Sequence, residues 1–158
     1  MNAIDKRLEQ LGIALPAATA PMAALLTPTR LIGERLLVSA QTPKRDGGLV
    51  YTGKVGEAHD LATAQDATRL CALNVLAHAK VALAGDLSRV RAVVQVRGYL
   101  NVTPDFIMIA EAVNGASRLF LDAFGPEIGS HCRTAVGAAN MPFGATAEVE
   151  AEFLVSSG

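Results

Sequence analysis

HCRTAVGAANMPFGATAEVEAEF, residues 131–153, holds two alternating runs separated by a turn. From Thr146 to Val155, Ala147, Val149, Ala151, Phe153 and Val155 point one way, while Thr146, Glu148, Glu150 and Glu152 point the other, because successive strand residues face opposite sides. His131, Arg133 and Ala135 alternate in the same manner with Cys132, Thr134 and Val136. Asn140 to Gly144, with a proline and a glycine, reads as the turn between two strands. A hairpin centred between Asn140 and Met141 sets Arg133 opposite Glu148. Opposed residues share a face, so Arg133, Ala135, Glu148 and Glu150 are expected together on the side away from the apolar set. A bulge near Pro142 shifts this register, so pairing alone leaves Glu148 and Glu150 both open as the partner of Arg133.

One guanidinium among carboxylates has two readings. On a solvated face it is a cross-strand ion pair worth about 0.2–1 kcal/mol, which pattern alone favours. On a covered face it lines a cleft, where arginine holds a carboxylate ligand through two parallel hydrogen bonds.

Outward from this stretch, the periodicities predict a short amphipathic helix over residues 3–12 and an extended Pro/Ala segment from Leu15 to Met22. Two strands, Ala24–Ile32 and Arg35–Gln41, flank a turn at Gly33-Glu34, with a short strand over Leu49–Gly53. A long helix fits Leu61–Leu83, its stripe running through Ala67, Leu70, Asn74, Ala77 and Val81, with Gly85 as cap. Val90–Leu100 is a Val-rich strand. Thr103-Pro104 carries cap chemistry for a second helix, which buries Phe106, Ile109, Val113, Ser117, Phe120 and Phe124 and ends at Gly125-Pro126. The order strands, helix, strand, helix, two strands is α+β, a mixed sheet with two helices packed on one face.

The 158 residues are 51% hydrophobic with a net charge of -1, which suits one domain with a real core and argues against a protein built to grip nucleic acid. Cys71 and Cys132 make no disulfide or metal pattern, and His59, His78 and His131 are dispersed, so no metal site is expected. His131 shares the face of Arg133 and is placed at most on the rim of a cleft. Leu11–Thr29 lacks charge, but Pro16, Pro21 and Pro28 interrupt it, so no membrane span is expected. Asp5 and Glu9 before a short apolar run are unlike a cleavable signal, and a cytoplasmic protein is expected.

The 131–153 stretch resembles the C-terminal signature of the RidA/YjgF family, the reactive-intermediate imine deaminases, also called endoribonuclease L-PSP-like proteins. Its arginine, hydrophobic strand, Pro-containing turn and Glu-hydrophobic-Glu fall on Arg133, Met141-Pro142 and Glu148-Val149-Glu150. "LLVSAQTP" (36–43) is similar to the family's Ser-Gly-Gln segment. "LVYTGKVG" (49–56), "TRLCALNVLA" (68–77), "PDF" (104–106) and "VNGAS" (113–117) resemble a bacterial subgroup. The likeness runs from about residue 12 to the end, so residues 1–158 are expected to be one such domain, with 1–22 as a helix plus Pro/Ala-rich extension.

The resemblance implies a chorismate-mutase-like fold, a homotrimer with ligand clefts between subunits, and a cofactor-free reaction. Enamine or imine intermediates are hydrolysed to 2-keto acids and ammonia, so the implied partners are small 2-imino or 2-keto carboxylates. By the same resemblance Arg133 binds the substrate carboxylate, Glu148 positions or deprotonates water, and Ser39 and Asn114 contribute hydrogen bonds. The pocket-lining positions include Leu26, where the family has a tyrosine, and Ala135, where it often has a cysteine; both substitutions point to a larger or more apolar ligand. A non-catalytic trimer that binds small carboxylates, or a partner protein, in the same clefts is the alternative. An endoribonuclease has less support, for there is no basic stripe, few aromatics and no histidine pair.

Overall fold

The computed structural model describes residues 2–20 and 25–157. Its elements are α1 (Ala3–Gln10), β1 (Thr29–Ile32), β2 (Arg35–Gln41), β3 (Lys44–Arg45), β4 (Gly48–Leu49), α2 (Leu61–Ala82), β5 (Val90–Asn101), α3 (Ile109–Gly129), β6 (Cys132–Ala138) and β7 (Ala147–Val155). Five strands form one mixed sheet in the order β1-β2-β7-β5-β6, and β3 and β4 make a separate two-stranded ribbon. The α+β architecture is as expected, with α2 and α3 against one face.

The expected final hairpin does not form. β6 runs parallel to β5, and β7 lies antiparallel on the other flank of β5. The cause is the β5-α3-β6 crossover, which returns the chain beside β5 in the same direction, as a helix-linked strand pair must. Residues 139–146 then carry the chain past the end of β5 to its free flank. Arg133 pairs with Val96 and Ala135 with Gly98, both on the helix side, while Glu148 pairs with Tyr99 on the open side. Arg133 and Ala135 therefore lie on the opposite face of the sheet from Glu148 and Glu150, which corrects the shared-face expectation.

Smaller differences have local causes. The first helix stops at Gln10, and its expected last residue, Gly12, takes φ +65. β1 begins only at Thr29, while Ala24 lies outside the described residues, as do Met1, Pro21 and Met22 of the N-terminal segment. The Leu49–Gly53 strand is reduced to the β4 ribbon plus a single bridge from Thr52 to Ala145. Thr103-Pro104 does not cap α3: Val55 bridges Val102 and its carbonyl accepts the Thr103 N–H, which holds this backbone out of the helix. At Gly125 the helix breaks (φ 78, ψ 170), and Pro126 starts a last turn to Gly129.

The core sits between the helices and the sheet. Phe120 packs edge-on to Phe153, and Ala147, Val149, Ala151, Phe153 and Val155 all enter it. The helices cross closely at Gly115, where an added Cβ would lie 1.9 Å from the carbonyl oxygen of Gln65. Backbone cannot yield cheaply there. Gly115→Ala is expected to cost about 3 kcal/mol, at the upper end of overpacking penalties, read as a clear fall in Tm; an unchanged Tm contradicts this crossing. No described helix is long and apolar enough to cross a membrane.

Candidate active site

Arg133 sits on β6, one of the sheet's two edge strands, and its side chain leans against α3. Its Nη1 donates to Asn114 Oδ1 at 2.7 Å and to Ser117 Oγ at 3.2 Å. Asn114 and Ser117 are three residues apart on α3, hence on one face of that helix. The structure thus brings together Arg133 and Asn114. Around them, Ser117, Leu121, Ser130 and His131 line a pocket of about 270 Å³ with Arg133.

The open face carries a polar ladder across β5, β7 and β2. Arg97 Nη1 donates to Glu150 Oε1 at 3.1 Å, and Tyr99 Oη donates to the same oxygen at 3.2 Å. Arg35 Nε donates to Glu152 Oε1 at 2.6 Å, which holds that carboxyl below its usual range. Glu148 differs: it accepts no hydrogen bond from a described side chain. Burial, then the neighbouring Glu150 charge, push its carboxyl above the ordinary glutamate range. Of the two glutamates left open as the partner of Arg133, neither pairs with it: Glu150 is bound by Arg97 and Tyr99, and Glu148 accepts no hydrogen bond from a described side chain.

Ser39 and Leu26 form a third group. Both line a pocket of about 280 Å³ beside β2, with Gln41, Asn74 and His78. Ser39 is exposed and also borders a second hollow of about 450 Å³ on the open face, with Arg97, Glu150 and Glu152. Ala135 packs against the core from β6.

One chain does not join these three groups. Two strands separate β2 from β6, so Ser39 and Arg133 are about 14 Å apart across the sheet. Arg133 and Glu148 are on opposite faces. Sequence reasoning missed Ser117, which was counted only as part of the buried stripe, and the Arg97 and Tyr99 partners of Glu150. The signal for the latter was the Gln95, Arg97, Tyr99 alternation, which mirrors that of the glutamates.

The residues 5–152 match the family described as "YjgF/chorismate_mutase-like, putative endoribonuclease". The chain belongs to this family, the one that the C-terminal stretch resembles. Protein TCP17 of Trypanosoma cruzi is 44% identical over 94% of this chain and 91% of its own. A crystal structure of an Agrobacterium tumefaciens protein of unknown function superposes with TM-score 0.88 at 40% identity, over 98% of this chain and 94% of that one. A Shewanella oneidensis structure described with the same endoribonuclease term gives TM-score 0.92 at 32% identity, covering 98% of this chain and all of that one.

Proposed function

We propose that this protein hydrolyses small 2-imino acids to 2-keto acids and ammonia, at sites completed by a second copy of the chain in a homotrimer. The observation that carries the reading is the contrast between Glu148 and its neighbours: it is the glutamate of the ladder without a described partner, and its carboxyl is raised towards the range where it can both take and return a proton. Arg133 supplies the other requirement. Asn114 and Ser117 hold one edge of its guanidinium and leave the other edge for a substrate carboxylate.

A general base must come within hydrogen-bond reach of the water it activates. Arg133 and Glu148 of one chain cannot do this around one small substrate, since the sheet lies between them. A second copy, docked by its open face against the β6 edge, brings its own Glu148 to the Arg133 site. Exposed Ile32, Leu37, Val94 and Val136 supply apolar surface for such docking.

The step balances without a cofactor. Water oxygen bonds to the carbon of the protonated imine while Glu148 takes one water proton, which gives a neutral carbinolamine. Glu148 returns that proton to the nitrogen, the C–N bond breaks towards nitrogen so that ammonia leaves, and the carbinol hydroxyl passes its proton to Glu148 as the C=O forms. The test uses an amino-acid oxidase to generate 2-imino acids and semicarbazide to trap them. Added protein is expected to suppress trapping; no suppression with imino acids of any side-chain length contradicts the reading. Binding of 2-keto acids without turnover would instead support the non-catalytic alternative, which Leu26 in place of a tyrosine hydroxyl favours.

A further inference from the structure

His131 and Ser117 form a chain of hydrogen bonds behind Arg133. His131 Nδ1 lies 2.7 Å from the Gly129 carbonyl oxygen, and Nε2 lies 2.9 Å from Ser117 Oγ. A carbonyl only accepts, so Nδ1 carries the proton. Nε2 of the neutral ring then accepts, and the Ser117 hydroxyl must donate to it. That commits the only proton of Ser117, and its lone pairs are left for a donor. Arg133 Nη1 is that donor. The polarity of the whole chain is fixed from the carbonyl outward: Arg133 to Ser117 to His131 to Gly129.

The ring itself is held in place. It packs edge-on to Phe120, with centroids 5.9 Å apart. Burial and the adjacent Arg133 charge lower its pKa, offset in part by the Gly129 bond, so the ring is neutral at pH 7 as the chain requires. Both protons of Nη1 are used, one on Asn114 and one on Ser117. Nε and Nη2 hold no partner among the described residues, and this pair of parallel N–H groups is the edge that matches a carboxylate.

We propose that Ser117 and His131 are positioning residues of the carboxylate site: they fix the roll of the Arg133 guanidinium so that its Nε/Nη2 edge faces the ligand. This rests on the reading of Arg133 as the carboxylate anchor. The ligand class that follows is a planar carboxylate taken two-pronged, in preference to a ligand with a neutral amide at that position.

The experiment measures binding of 2-oxobutanoate by calorimetry and 2-imino acid hydrolysis for the wild type, Ser117→Ala, Ser117→Thr, His131→Ala and His131→Gln. Ser117→Ala and His131→Ala are expected to weaken keto-acid binding and raise KM roughly tenfold, the worth of one charge-assisted hydrogen bond, with kcat little changed. Ser117→Thr keeps the hydroxyl and His131→Gln can keep an acceptor near Nε2, so both restore most of the affinity. A merely structural role would lower Tm and active fraction without this KM-selective pattern or its rescue, and that outcome overturns the proposal. Nitrogen NMR of the unliganded wild type reads the chain independently of any ligand: a protonated Nδ1 and bare Nε2 are expected at neutral pH, and a protonated Nε2 overturns the proposal outright. If that spectrum is as expected yet the wild type binds no 2-oxobutanoate, the carboxylate reading has failed, and the positioning role falls with it.

Discussion

Glu148→Gln is expected to give a folded protein that still binds 2-keto acids but hydrolyses 2-imino acids roughly 10²–10⁴ times more slowly, the range that a positioned general base contributes. The substitution keeps the shape and removes the ability to take a proton from water. It also has a stability consequence of opposite sign. The Glu148 carboxyl titrates above its unfolded value because burial and Glu150 disfavour its charge. A raised carboxyl favours folding while protonated, and that contribution is lost as pH rises through the folded value. Above that folded value the ionised Glu148 is therefore a burden. Glu148→Gln should raise Tm at pH values above the carboxyl's titration and lose this advantage as the pH falls through it. Wild-type imine hydrolysis is expected to fall with acid over the same range, its midpoint above that of an ordinary glutamate. A variant that loses activity and stability together would point to a structural role instead.

Arg133→Ala removes the proposed carboxylate anchor. Losing one partner of a charge pair formed with the ligand costs 2–5 kcal/mol, so kcat/KM for 2-imino acids is expected to fall by roughly 10² or more. Arg133 is exposed, and Asn114 and Ser117 can turn to water in its absence, so Tm should hardly move. Arg133→Lys keeps the charge but offers no parallel pair of N–H groups, and should recover only part of the loss. Steady-state kinetics with thermal denaturation of the three proteins checks this. An Arg133→Ala protein with wild-type KM would remove the anchor from the mechanism.

The strands, helices and buried faces were largely legible because each is written in local period. The alternation of Ala147 to Val155 survives in the structure, and the stripe of α2 survives through Ala67, Leu70, Asn74 and Ala77, whereas Val81, expected on it, is exposed near the helix end. Strand order was not legible. Pairing β6 with β7 looked natural because they are neighbours in sequence, yet the α3 crossover spends one flank of β5 on β6 and leaves the other for β7. Local pattern carries no information about that choice. The same gap explains the site. That Glu148 differs from Glu150 depends on Arg97 and Tyr99, which reach Glu150 only through the β5–β7 register. Asn114 was reached through the family resemblance, and the structure sets it on Arg133. Ser117 was hidden because a serine inside an apolar stripe reads as packing until its hydroxyl is seen between an arginine and a histidine.

Complementation between two inactive variants tests the composite site most directly. Arg133→Ala and Glu148→Gln chains are co-expressed, mixed trimers are purified through two different tags, and imine hydrolysis is measured. In a cyclic trimer whose site takes Arg133 from one copy and Glu148 from the next, every doubly tagged mixed trimer rebuilds one of its three sites with both groups intact, about a third of the total. The account predicts activity in the mixture near that fraction, from two proteins that are each inactive alone. A mixture as inactive as its components would contradict it.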